Sequence, residues 1–145
     1  SKTGVGQVMV ESIDFDDIEK YGIIDISRKN INEFEAIPIK EIIEKPKPKN
    51  APSNLAVLGR YILPPQIFDF LKDINPDDSG EIQLTDALSG LLAKSGLNAV
   101  LTDADIFDCG NKLGFLSANL VTGVRDPKSR AKMYALMNKL IDGKF

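Results

Sequence analysis

The spacing of apolar residues changes at Pro65, and this change divides the sequence into two kinds of predicted structure. Upstream of it, short apolar segments bounded by polar turns predict strands. These strands are Gly6–Ile13, Tyr21–Ser27, Glu35–Glu44 and Asn54–Leu63, separated by predicted turns at Asp14–Lys20 and Arg28–Asn30 and a Pro/Lys loop at Lys45–Pro52. Asn54–Leu63 (NLAVLGRYIL) is almost continuously apolar, which is typical of a strand buried on both faces.

Downstream of Pro65, apolar residues recur at helical spacing. The apolar faces of four predicted helices, which we expect to be core, are Ile67, Phe70, Leu71 and Ile74; Leu84, Leu88, Leu91 and Leu92; Leu113, Leu116, Leu120 and Val124; and Met133, Leu136, Met137 and Leu140. Asn75-Pro76 ends the first helix and Gly96 the second. Asp126-Pro127 predicts an N-cap and first residue for the fourth. Asn98–Leu101 and Asp105–Phe107 are short strand candidates between the second and third helices.

Strands first, and then strands alternating with helices, predict an α/β layered domain. The strands before Pro46 have no helical crossovers between them, so a purely parallel sheet is disfavoured and a mixed sheet is expected. With 145 residues, one domain is the default.

The composition excludes several classes of site. The chain has no His, which excludes Ser-His-Asp triads, HExxH zinc sites and imidazole proton transfer. Its one cysteine, Cys109, excludes an intrachain disulfide and favours a reducing, cytoplasmic location. A net charge of −3 argues against nucleic-acid binding. No apolar run is long enough for a membrane span, so we expect no membrane association.

Glu44-Lys45-Pro46 stands at the end of a predicted strand, where ligands of open α/β sheets collect. A carboxylate there accepts hydrogen bonds from sugar hydroxyls, and an adjacent lysine is a point charge for phosphate. Composition alone favours the plainer interpretation, a solvated strand end before a proline loop. The nearby lysines Lys47 and Lys49 also read as a solvated loop.

Asp108-Cys109-Gly110 precedes a predicted helix, and an aspartate in such a turn either ligates Mg²⁺ or braces the turn. Unaided, the sequence favours the bracing role. Tyr21-Gly22 permits close approach of a ligand to the backbone but equally permits a turn.

Five blocks together resemble the bacterial UTP–glucose-1-phosphate uridylyltransferases (UDP-glucose pyrophosphorylases). They are YGIID (21–25), IEKP (43–46), APSNLAVLGRYIL (51–63), GEIQLTDA (80–87) and DCGNKLGF (108–115). The resemblance implies the C-terminal part of a Rossmann-like nucleotidyltransferase fold with a mixed sheet, ending in two helices. It also implies that residues 1–145 are the sugar-binding portion, and that the nucleotide-binding portion with its Gly-rich loop and first metal carboxylate is missing.

The resemblance further assigns roles to individual residues. Tyr21 and Gly22 would lie against glucose, Glu44 would accept from its hydroxyls, and Val57 would line the sugar pocket. Lys45 would neutralise phosphates as a catalytic residue. Asp108 would be catalytic as a carboxylate ligand of Mg²⁺, the implied cofactor.

The implied reaction of this transferase joins UTP and glucose 1-phosphate, giving UDP-glucose and pyrophosphate, with this chain inactive alone. Two alternatives stay open: a non-catalytic sugar-phosphate-binding or oligomerisation module on the same fold, and a sister sugar-1-phosphate nucleotidyltransferase. Apolar stripes on the two terminal helices, with Met133, Tyr134 and Met137, predict a homo-oligomer that uses them as an interface.

Overall fold

The strand-forming segments pair into one mixed sheet. The computed structural model describes residues 4–28, 32, 34–77 and 80–144, and places in them the strands β1 (Gly6–Ser12), β2 (Gly22–Ile26), β3 (Ala36–Glu44), β4 (Leu55–Ile62) and β5 (Leu97–Leu101). β1 runs parallel to β5, and every other neighbouring pair is antiparallel. The order β1-β4-β2-β3-β5 closes on itself as a barrel. The mixed sheet is confirmed, whereas its closure was not predicted.

The helices described are α1 (Ile67–Asp73), α2 (Leu84–Ser95), α3 (Lys112–Arg125) and α4 (Arg130–Ile141). Two short 3₁₀ helices, Phe15–Lys20 and Pro48–Asn50, lie in segments predicted as a turn and a loop. α2 ends at Gly96, as predicted, because that residue adopts a φ of 75°, which glycine takes without steric penalty.

The chain divides into two compact units, Ser1–Asp103 and Ala104–Phe145. In the first unit, side chains from the strands meet the buried face of α2 in one core. Its fully buried members include Val8 and Val10 of β1, Ile24 of β2, and Leu88 and Leu91 of α2. This core holds α2 against β3, which matters for the site because β3 ends and α2 begins beside it.

In the second unit, α3 and α4 pack against each other. A Cβ built on Gly123 of α3 would lie 3.1 Å from Met133 side-chain atoms, so that methionine faces its partner helix. The expectation that these stripes form a core is wrong for most of their residues: Leu113, Leu116, Leu120, Leu136 and Leu140 are exposed. A pair of helices has too little facing surface to cover both apolar stripes.

Three further predictions are corrected. Asp105–Phe107 forms no strand. α4 begins at Arg130, because Asp126 and Pro127 form the turn before it and the Asp126 carboxylate accepts from the Lys128 backbone N–H. β4 is covered on both faces only in its first half: Ala56 and Leu58 are buried and Leu55 and Val57 pack against the main core, whereas Ile62 at its end is 60% exposed. The predicted turn at Arg28–Asn30 falls largely outside the described residues.

Candidate functional site

The candidate site lies where β2 begins and β3 ends. Gly22 and Glu44 are directly opposed in the antiparallel ladder between these strands. Lys45 leaves β3 with a φ of 43°, and its backbone N–H donates to the carbonyl of Tyr21 at 3.1 Å. This left-handed conformation is uncommon for a residue with a side chain, and here a backbone hydrogen bond stabilises it. The two strands therefore bring together residues more than twenty positions apart.

Thr85, in the first turn of α2, completes this group. Its hydroxyl donates to Glu44 Oε2 at 2.6 Å, and both residues are partly buried. The sequence singled out no role for Thr85, although it lies within the GEIQLTDA block, and that block was the available signal. The residue enters the site only because the buried face of α2 sets where the helix starts.

A side chain at Gly22 would crowd Glu44. A Cβ built there would lie 3.0 Å from Glu44 Oε2, 3.6 Å from Thr85 Oγ1 and 3.8 Å from Val57 Cβ. The first distance is shorter than ordinary van der Waals contact. Gly22, Glu44, Val57 and Thr85 therefore form one cluster.

Two charged or titratable neighbours border the cluster. Lys45 Nζ lies 3.8 Å from Glu44 Oε1, and both side chains retain solvent contact, so this ion pair is weak. The pKa of Tyr61 on β4 is raised above its usual value, first by burial and then by the negative charge of Glu44. The sequence did not indicate Tyr61. Tyr21, which precedes Gly22, is partly buried against the small core of Ile18, Ile23 and Ala56.

Asp108 belongs to the second unit, in the turn before α3. Its Oδ1 accepts from the Gly110 backbone N–H at 2.9 Å and its Oδ2 from Asn111 Nδ2 at 3.0 Å. Asn111 Oδ1 in turn caps α3 by accepting from the Gly114 backbone N–H at 2.8 Å. Asp108 thus braces the turn before α3 through both of its carboxylate oxygens.

Among the described residues, no group of three His, Cys, Asp or Glu side chains could hold a metal ion by itself. A lone carboxylate such as that of Asp108 is compatible with Mg²⁺, because that ion takes one or two carboxylates together with phosphate oxygens and water. Cys109 beside it is exposed. Of the predicted site residues, Tyr21, Gly22, Glu44, Lys45 and Val57 are neighbours within the first unit.

A cavity of about 610 Å³ lies at the other end of β2 and β3. It is lined by both polar and apolar residues, among them Asp25, Lys40, Asn54 and Leu55, and by none of the predicted site residues. No helix in the described part of the chain is both long and apolar enough to cross a membrane.

This chain is similar to known nucleotidyltransferases in both sequence and structure. The Nucleotidyl transferase family matches residues 1–123. The UTP–glucose-1-phosphate uridylyltransferase of Haemophilus ducreyi is 36% identical over 97% of this chain and 48% of its own length. That of Escherichia coli K12 is 40% identical over 86% of this chain and 40% of its own length.

A solved structure of UTP-bound UGPase from Acinetobacter baumannii has a TM-score of 0.82 and 38% identity, covering 96% of this chain and 47% of that one. The chain thus spans about half the length of the proteins it resembles. Since the family match covers most of the residues and includes the strands, the Glu44 cluster and Asp108, this chain belongs to the nucleotidyl transferase family.

Proposed function

We propose that residues 1–145 are the sugar-phosphate-binding portion of a UTP–glucose-1-phosphate uridylyltransferase. That enzyme joins UTP and glucose 1-phosphate and releases UDP-glucose and pyrophosphate. The observation that carries the proposal is the placement of Glu44 over Gly22, with Lys45 next in the chain. Membership of the nucleotidyl transferase family and the names of the relatives support it.

Glu44 is suited to hold a sugar. Its carboxylate accepts hydrogen bonds, is held in place by Thr85 and lies beside the backbone of Gly22. Hydrogen bonds from sugar hydroxyls to a charged acceptor are stronger than bonds between neutral groups. Val57 would contribute apolar contact with the ring, and Tyr21 would flank it.

Lys45 is suited to a phosphate. Its ammonium group is exposed and its only described partner is the weak pair with Glu44, so the charge remains available to a ligand. In the proposed reaction the phosphate of glucose 1-phosphate attacks the α-phosphorus of UTP and pyrophosphate leaves. Because that phosphate is already anionic, the reaction needs no general base, in keeping with a chain that lacks histidine. Alignment and charge neutralisation then supply the rate.

Asp108 would hold Mg²⁺ together with phosphate oxygens. When bound, the ion would neutralise phosphate charge and help to align the reacting groups. The turn formed with Gly110 and Asn111 orients the carboxylate for this role.

The second unit supports a proposal about assembly. The exposed apolar residues of α3 and α4 would form a contact between copies of the protein, giving a homo-oligomer. Because Met133 packs against Gly123, residues such as Leu116 and Leu140 are better candidates for this contact. Light scattering should show a Leu116→Glu, Leu140→Glu variant to be smaller than the wild type; a monomeric wild type would contradict the proposal.

A single cysteine and bacterial relatives favour the cytoplasm.

The test uses the 145-residue chain. Calorimetry or NMR titration should show that it binds glucose 1-phosphate, and that Glu44→Gln weakens this binding. Glu41→Gln is the matched control, since Glu41 is an exposed carboxylate on the same strand.

A coupled pyrophosphate-release assay should show no UDP-glucose synthesis by the chain alone. Losing one preorganised charge contact costs about 10²–10³ in rate, and the resemblance places the whole triphosphate cradle outside this chain. Absence of binding would contradict the proposed function. Rapid turnover would contradict the division of the site between two halves of the enzyme.

A further inference from the structure

The hydroxyl of Thr85 bonds to a residue distant in the chain and not to its own helix. As the second residue of α2, it occupies a position where short polar side chains often bond to nearby backbone groups. Instead it donates to Glu44 Oε2 at 2.6 Å, to a residue 41 positions earlier in the chain. A bond of this kind, to a charged acceptor, is strong for a side-chain pair.

This bond gives the two oxygens of the Glu44 carboxylate different partners. Oε2 receives the Thr85 hydroxyl and lies over the Cα of Gly22, within 3.0 Å of where a Cβ would be. Oε1 lies 3.8 Å from Lys45 Nζ, towards the more exposed lysine. Oε2 is therefore held by a short hydrogen bond within the protein, whereas Oε1 has only the weak ion pair with Lys45.

The position of Thr85 is itself well fixed. Ala87 and Leu88, in the next half turn of α2, have no solvent exposure and lie in the main core. A glutamate that must become ordered on binding loses side-chain conformational entropy. Holding Glu44 before the ligand arrives removes part of that loss.

We propose that Thr85 is a positioning residue for sugar recognition: by bonding Oε2 of Glu44, it presents Oε1 to the hydroxyls of glucose 1-phosphate. This inference rests on the proposed function. Thr85→Val, which keeps the shape of the side chain but removes the hydroxyl, should weaken binding of glucose 1-phosphate about tenfold. Thr85→Ser retains a hydroxyl and should restore most of the affinity.

The decisive readout is discrimination between sugars, which a merely structural role would not change. The isotope-labelled 145-residue chain is titrated by NMR with glucose 1-phosphate, its monodeoxy analogues and inorganic phosphate. In the wild type, the analogue lacking the hydroxyl bound to Glu44 should bind about tenfold more weakly than glucose 1-phosphate. In Thr85→Val this penalty should shrink severalfold, while inorganic phosphate binds as before, and Thr85→Ser should recover the penalty.

Ser89→Ala is the matched control. Ser89 lies one turn further along α2, and its hydroxyl donates to the Thr85 carbonyl, so its removal takes a hydroxyl from the same helix face and leaves the bond to Glu44 in place. Discrimination should be unchanged in this variant. If Thr85→Val does not fold, Thr85→Ala provides the same comparison with less bulk.

The outcomes separate the two proposals. If the wild type binds glucose 1-phosphate and the hydroxyl-free variant keeps the full deoxy-sugar penalty, the positioning role of Thr85 is overturned and the proposed function stands. If the wild type shows no binding, the proposed function is overturned, and the positioning inference with it. Equal weakening of sugar and inorganic phosphate would show a structural effect and would also overturn the inference.

Discussion

The start of α2 and the start of α3 each position a side chain of functional interest, yet by different means. Thr85 at the start of α2 reaches Glu44 because the helix buries Ala87, Leu88 and Leu91 in the core of its unit. Asp108 before α3 is held by bonds to its immediate neighbours, and neither α3 nor α4, both described throughout, contains a buried residue. Side-chain geometry at one helix thus depends on tertiary packing, and at the other on local hydrogen bonds. The difference predicts which substitutions damage each region.

The largest expected effect is on stability and tests the contribution of burial. Leu88→Ala should lower the free energy of unfolding by about 2–5 kcal/mol, because the side chain is fully buried and its removal leaves a cavity. Leu116→Ala on α3 is the control: Leu116 is 52% exposed in the single chain, so in dilute, monomeric protein we expect a change within about 0.5 kcal/mol. Urea unfolding of both variants measures this. Equal losses would show that α3 is packed as tightly as α2.

The second prediction tests whether Lys45 in the first unit and Asp108 in the second take part in the same reaction. In an active enzyme that contains this chain, Lys45→Ala and Asp108→Asn should each lower kcat about 10²-fold, because phosphate and metal contacts strengthen as charge develops. Glu44→Gln should mainly raise the KM for glucose 1-phosphate, since sugar contacts persist from ground state to transition state. Steady-state kinetics measure all three.

Lys72→Ala, an exposed lysine on α1, is the control for these kinetics and should leave kcat unchanged. An unchanged kcat in Asp108→Asn would remove Asp108 from the proposed metal site. Unchanged kinetics in Lys45→Ala would likewise remove that lysine from the phosphate site.

A smaller effect tests the local character of the second region. Asn111→Ala removes the N-cap of α3 and a bond to Asp108, and should destabilise α3 by about 1 kcal/mol without altering the first unit. Amide hydrogen exchange would show faster exchange in α3 alone. Asn119→Ala is the control, because that amide bonds only the Phe115 carbonyl within the helix. If exchange in β2 or α2 also accelerated, the turn would not be a local structure.

The smallest effect concerns pH and the first region. Burial and the charge of Glu44 raise the pKa of Tyr61, so the folded chain holds this proton more tightly than the unfolded chain. Its contribution to stability is therefore complete below the usual tyrosine pKa of about 10 and is lost as pH rises through the folded pKa. Tyr61→Phe should flatten the alkaline decline in stability, which urea unfolding at a series of alkaline pH values measures. Identical alkaline unfolding curves for Tyr61→Phe and the wild type would contradict this.

Much of the first unit followed from local patterns. Short apolar segments bounded by polar turns predicted β1, β2 and β3, and helical spacing with a terminal glycine predicted α2, because these features are local in the sequence. The Asp105–Phe107 strand was wrong since a short apolar segment forms a strand only if a neighbouring strand accepts its hydrogen bonds. Asp126-Pro127 was wrongly predicted to begin α4, because Asp and Pro are common both at helix N-termini and in turns.

By itself the sequence determined the element types, the mixed sheet, the candidate residues Glu44, Lys45 and Asp108, and the family, since these depend on local periodicity and on motifs. The tertiary structure decided the closure of the sheet, the exposure of α3 and α4, and the cluster of Gly22, Val57 and Thr85 around Glu44. Strand register and helix packing bring together residues distant in the chain, and no local pattern encodes which atoms then meet. For this reason Thr85 was found only through its contact with Glu44.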